Sequence, residues 1–253
     1  MDELLVRLQE QAIQDDRLLK KYARQSDGVT EERIREIKAR FQSSAQLLVE
    51  LATAIENHIE ELELVGTLRI EVAIIQFHSG CFYRVLGDTQ TALSRFQEAL
   101  TRMSPAGPEF PLAPACYANM ADILSQQGDF REAVATYEKA LERADCDAVV
   151  PSDKGIWFNN LAINLIHLEQ PEKAFVYFRK AIQWISQSGN RYEEAHIRNT
   201  FGIALSDGDQ FEPALAQHRS ALTLAQNHGF LEQAQIAKQQ IKLCSHYRER
   251  VSV

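Results

Sequence analysis

The sequence predicts an all-α chain built as an array of four helix pairs, and three observations carry that reading. Helix breakers are scarce, with 11 Gly and 7 Pro in 253 residues, below ordinary usage. Four strings recur in register: ALSRFQEAL (92–100), AVATYEKAL (133–141), AFVYFRKAI (174–182) and ALAQHRSAL (214–222). Their leading alanines lie 41, 41 and 40 residues apart, and a fixed period of this size marks a repeat array. A second set lies upstream: QFHSGCFY (76–83), YANMADIL (117–124), FNNLAINL (158–165) and RNTFGIAL (198–205). Each member holds a small residue twelve positions before the leading Ala, namely Gly80, Ala121, Ala162 and Gly202.

Ahead of the array, residues 1–26 and 30–65 read as two helices parted at Gly28, with Thr30, Glu31 and Glu32 as a start signal. In the second, Ile34, Phe41, Leu48, Ile55 and Leu62 recur every seventh residue, a heptad seam interrupted by Ser44 and His58. Leu5, Leu8, Ala12, Leu19 and Tyr22 form a stripe on the first. Two uses stay open. Residues 1–69 form a hairpin that caps the first repeat, or the long helix is a dimerisation or partner-docking element. The first helix is too short to cover the whole seam. Self-association or docking through residues 1–65, at Ile34, Phe41, Leu48 and Ile55, is therefore expected.

The array itself spans 70–228, with repeats at about 73–106, 114–147, 155–188 and 195–228. Within each repeat a turn parts the two helices: LGD (86–88), QGD (127–129), LEQP (168–171) and DGD (207–209). Gly, Asp and Pro there stop one helix and start the next. Residues 229–253 read as a capping helix with Leu231, Ala234, Ile241 and Cys244 inward and Gln, Lys and Glu outward. A polar outer face keeps the end of an array soluble.

These repeats resemble the tetratricopeptide repeat (TPR), in its long-period form as in kinesin light chains, Pins-type adaptors and bacterial peptide-pheromone sensors. The resemblance implies a right-handed α-solenoid, with the small residues and alanines where paired helices touch. The Trp of the family pattern is replaced here by Gln76, Tyr117, Phe158 and Arg198. The resemblance also implies that the first helix of each pair lines a concave groove. That face would carry Phe77, His78 and Arg84 in repeat one, and Asn119 and Asp122 in repeat two. Repeat three would add Asn159, Asn160, Ile163 and His167, and repeat four Asn199 and Ile203.

An amide both donates and accepts. Asparagines at matching positions of neighbouring repeats are expected to hold the backbone of an extended peptide, with apolar pockets at Phe77, Ile163 and Ile203. The alternative is that they cap or bridge helices, the role expected of Asn164. A clamp for a free C-terminal carboxylate is not expected, because Phe77, Cys81, Ile156 and Asn160 stand where most of that clamp would be.

Composition bounds the function. A formal net charge of −8 argues against a nucleic-acid partner, which needs a basic face. No apolar stretch reaches membrane-spanning length. Four scattered cysteines, with no CxxC pair, suit free thiols and a cytoplasmic location. His78 and Cys81 would be half a metal site without the other half, so no metal and no cofactor is expected. No HExxH, GxSxG or Gly-rich phosphate loop occurs. The expectation is a non-enzymatic scaffold that binds a protein or peptide partner in the groove. The alternative is a peptide-responsive sensor whose N-terminal helices are a protein-binding output.

Overall fold

The structure is a computed structural model that describes residues 65–103, 112–144 and 149–251, with six isolated helical positions between 39 and 50. Nine helices and no strand occur among these stretches: α1 Val65–Leu86, α2 Thr89–Met103, α3 Leu112–Gln127, α4 Phe130–Arg143, α5 Pro151–His167, α6 Pro171–Ser188, α7 Arg191–Asp207, α8 Phe211–His228 and α9 Leu231–Val251. The boundary expected between residues 69 and 70 falls inside α1. Ile34, Phe41, Leu48 and Ile55 lie outside the described residues. Packing divides the chain into two compact units, one ending at Ile123 and the other beginning at Leu124.

Helix starts follow local chemistry. Asp88 caps α2, its carboxylate accepting from the Thr91 amide at 3.1 Å and the Thr91 hydroxyl at 2.8 Å. Pro151 and Pro171 open α5 and α6, where a missing N–H costs nothing. Asn190 caps α7 by accepting from the Glu193 amide at 3.2 Å. The chain leaves α6 and α8 through Gly189 and Gly229, both at φ +73, a backbone that a Cβ would strain.

The repeat signature is the core. Ala92, Ala133, Ala174 and Ala214 have no exposed surface, and neither do Ala99, Ala140, Ala181 and Ala221. The ring residues between them, Phe96, Tyr137, Phe178 and His218, are buried too. In the first unit α1 packs on α2; in the second α5 packs on α6, and α7 on α8. The small residues let those helices close. A Cβ on Gly80 would stand 2.8 Å from the Phe96 ring, and one on Gly202 would stand 2.5 Å from the His218 ring. Successive repeats join through aromatic packing, Phe201 of α7 stacking on Phe178 of α6 at 5.1 Å.

The missing Trp has local substitutes. In the first repeat, buried Gln76 accepts from Arg95 Nη1 at 3.4 Å. In the fourth, Arg198 Nη1 donates to Gln217 Oε1 at 3.2 Å. The two positions are equivalent and both pairs span 19 residues, so donor and acceptor have changed sides. At the same spacing in the third repeat, Phe158 stacks on Tyr177 at 6.0 Å. Each of these repeats closes its own helix pair with different chemistry.

The turns between paired helices hold a left-handed residue five positions before each leading Ala: Gly87, Gly128, Glu169 and Asp209. The fourth lies within the expected DGD turn but is not its glycine: Gly208 sits at φ −94, and Asp209 takes φ +57. The left-handed position is set by the register, seven residues after the small residue and five before the leading Ala in every repeat, and the glycine of this turn falls one position early.

The last helix corrects a second expectation. Leu231 is 84% exposed, whereas Gln233, Ala237 and Cys244 are buried. Ala237 and Cys244 repeat, 40 residues on, the register of the first helices: Trp157, Ile197 and Ala237 correspond, as do Asn164, Ala204 and Cys244. Helix α9 lies on α7 and α8 as the first helix of a fifth pair would. Cys244 Sγ donates to Ser206 Oγ at 3.1 Å.

Candidate functional site

The first helices carry the residues singled out above, and burial sorts them into two groups. Asn159 and Asn199 are turned into the packing, 4% and 2% exposed. Asn199 Nδ2 donates to the backbone oxygen of Gln233 at 3.2 Å and to its Oε1 at 3.1 Å. Its Oδ1 lies 3.3 Å from His218 Nδ1. A carbonyl oxygen only accepts, so Nδ1 carries the imidazole proton. Burial pushes the His218 pKa down to about 4, against a weaker opposing pull from a Gly202 backbone hydrogen bond. Asn199 is thus a bridge among α7, α8 and α9, with its amide already engaged. Asn159 donates to Asn160 Oδ1 at 3.1 Å. Asn164 also departs from the bridging expectation: it donates to the Asn160 carbonyl of its own helix at 2.8 Å. Such i−4 bonds are open to any helical side-chain amide, and no neighbouring helix is needed.

The second group stays at the surface. Asn119, Asn160, Ile163 and Ile203 are half-buried and His167 is exposed. Asn119 Nδ2 returns to the Ala115 carbonyl at 2.8 Å. In the first unit, Arg84 of α1 reaches Asp122 of α3 at 3.7 Å, both about a third exposed. Two residues 38 positions apart, chosen from the sequence for one face, therefore meet. Phe77 is half-buried, 5.8 Å from the Phe96 ring and 5.3 Å edge-on to His78. In the second unit His167 stacks on Phe130 of α4 at 4.3 Å.

Charge near this face is arranged in pairs. Glu194 opens α7 with Arg191 Nη1 at 2.7 Å and Arg198 Nη2 at 2.8 Å. Burial opposes its charge, but the guanidinium hydrogen bonds prevail and hold the carboxyl below its ordinary range. Lys154 stands 4.8 Å over the Trp184 ring. Cys116 is buried, and burial first, then the neighbouring Cys81, pushes its thiol above the ordinary range. Among the described residues no three His, Cys, Asp or Glu side chains converge on a metal position. No described helix is long and apolar enough to cross a membrane.

The register of this face continues where the sequence reading stopped. Ile163, Ile203 and Leu243 fall at 40-residue steps, as do His167, Asp207 and Tyr247. Leu243 is 41% exposed and Tyr247 49%. The signal was the period itself, read to residue 228 and no further.

Comparison with known proteins agrees with this geometry. The chain is similar in fold to BtubC (BKLC) from P. vanneervenii, with a TM-score of 0.62 at 20% identity, over 85% of this chain and 92% of that one. It is similar to YrrB, a TPR protein with an unusual peptide-binding site, with a TM-score of 0.53 at 21% identity, over 78% and 85%. MamA aligns with a TM-score of 0.55 at 12% identity, over 80% and 98%. No curated protein sequence matches. The model of the tetratricopeptide repeat matches residues 71–145 and 154–227, more than half of the chain, and the chain belongs to the tetratricopeptide repeat family.

Proposed function

We propose that this protein is a non-enzymatic interaction scaffold that receives a peptide or helix of a partner protein on the face of its first helices. One observation carries the reading. In the second unit the signature alanines and rings of α6 and α8 are buried, as are Ala162 and Gly202 of α5 and α7, while Asn160, Ile163 and Ile203 of the same α5 and α7 remain half-open; Asn119 of α3 is half-open likewise in the first unit. A face that mixes amides with aliphatic side chains suits a partner with both a polar backbone and apolar side chains. YrrB, similar in fold, is described as having a peptide-binding site. Asn159 and Asn199 support the surface from behind. Cys116 and Cys244 are free thiols, which fits a reducing cytoplasm.

The test is partner capture with paired variants. A protein held by the wild type should be lost from Ile163→Ser/Ile203→Ser. Asn119→Ala/Asn160→Ala should weaken it by about 1–3 kcal/mol, with the melting temperature little changed. Undiminished binding in both variants sinks the proposal. Self-association through the heptad segment belongs to the same reading. Phe41→Glu/Leu48→Glu should turn a dimer into a folded monomer in sedimentation. A parent that is already monomeric rejects that part.

A further inference from the structure

We propose that α9 reads the partner as well as closing the array, and that the partner segment is a basic amphipathic α-helix with apolar side chains seven residues apart. This rests on the reading of the first-helix face as the binding surface. Helix α9 repeats the register of α5 and α7. Its Leu243 continues the row of Ile163 and Ile203, and its Tyr247 continues the row of His167 and Asp207. Both α9 side chains are exposed. A helix serving only as a cap would present polar groups at these positions. Lys238 and Lys242, on the side where a further second helix would pack, do so.

The spacing of the row selects the ligand. Packed neighbouring helices lie about 8–10 Å apart, so the row offers one aliphatic position at about that interval. Seven residues of α-helix rise about 10.5 Å and return to the same face. A β-strand repeats its face about every 6.7 Å, which falls out of step by the second repeat. A polyproline helix repeats near 9.3 Å, but its grooves are lined by aromatic rings. The row here is Ile, Ile and Leu.

Charge selects the flank. Glu169, Glu172, Asp207 and Asp209 are exposed along the turns that border the second row. Lys173, at the same edge, is hydrogen-bonded to Gln170 at 2.9 Å. Among the described residues none of the four carboxylates has an ion-pair partner. Lysines or arginines beside the apolar stripe of the partner would meet this acidic edge.

The experiment uses the full chain and two synthetic peptides of one composition. One is a helix with Leu at every seventh position and Lys beside it; the other has the same residues respaced to alternate. Fluorescence anisotropy should show binding of the first and not the second, weakening as salt rises. Leu243→Asp/Tyr247→Asp alters exposed side chains only and should bind about tenfold or more weakly, with an unchanged melting curve. Ile203→Ser should also weaken binding. Loss in Ile203→Ser with full binding in the α9 variant would leave α9 a cap and overturn this inference, while the first-helix reading stands. Equal binding of both peptides, or of neither, would overturn the helix assignment. Full binding in both variants would overturn the shared surface as well.

Discussion

A methyl group at position 202 would sit 2.5 Å from the His218 ring. Gly202→Ala should therefore cost about 1–3 kcal/mol, the range for overpacking a core, measured by urea unfolding. Ala162→Gly, at the matching position of the third repeat, relieves no clash and should cost only about 0.5–1 kcal/mol. His218 also carries a pH dependence. Its folded pKa of about 4 lies below the unfolded value of about 6.5. The unfolded chain thus binds the proton first as pH falls. Stability from this group is complete above pH ~6.5 and declines to a floor near pH ~4, by about 3 kcal/mol. His218→Phe should remove that slope, and a slope unchanged in the variant assigns it elsewhere. At this scale the small and ring positions were legible because they recur. The asparagines were not. Whether Asn199 faces a partner or Gln233 depends on a helix 34 residues away, and no periodicity of its own segment reports that.

Helix limits depend on a few turn residues, and two of them, Glu169 and Asp209, hold a left-handed backbone with a Cβ. Glu169 holds φ +58 with a Cβ, where the equivalent Gly87 and Gly128 hold theirs without one. The left-handed region costs an L-residue about 1–2 kcal/mol, partly offset by the entropy of glycine. Glu169→Gly should raise the unfolding midpoint by up to about 1 kcal/mol, and a lower midpoint would show that the Glu169 side chain compensates. Glycine is the usual left-handed residue, yet Gly208 does not take that role in its turn. The spacing to Ala214 was the better guide, and it points to Asp209. The same lesson applies to α9. Apolar residues alone suggested Leu231 as a core position beside Cys244, whereas the 40-residue register keeps Cys244 and selects Ala237.

For the whole molecule, α9 covers α8 and the outer side of α7. Removing residues 230–253 would bare the face of α8 on which α9 lies. It would also leave Asn199 without Gln233. The shortened chain should melt at a lower temperature and aggregate on heating, as seen by light scattering. A melting curve equal to that of the full chain would show that α9 contributes nothing to the fold. The all-α repeat array was legible in the sequence because every repeat restates it.

Arrays of near-identical units can pair the wrong helices during folding, and the product is often trapped or aggregated. The substitutes for the missing Trp work against this. If α7 closed on α2, Arg198 would face Arg95, two like charges at a half-buried joint. If α1 closed on α8, Gln76 would face Gln217, with no cation to draw them together. The third repeat, with Phe158 and Tyr177, would offer either intruder a ring in place of a hydrogen-bond partner. Losing a shared tryptophan thus leaves these helix pairs marked for their own partners. An exchange of helices among these three repeats, which the alanines alone would permit, meets a mismatch before it can consolidate.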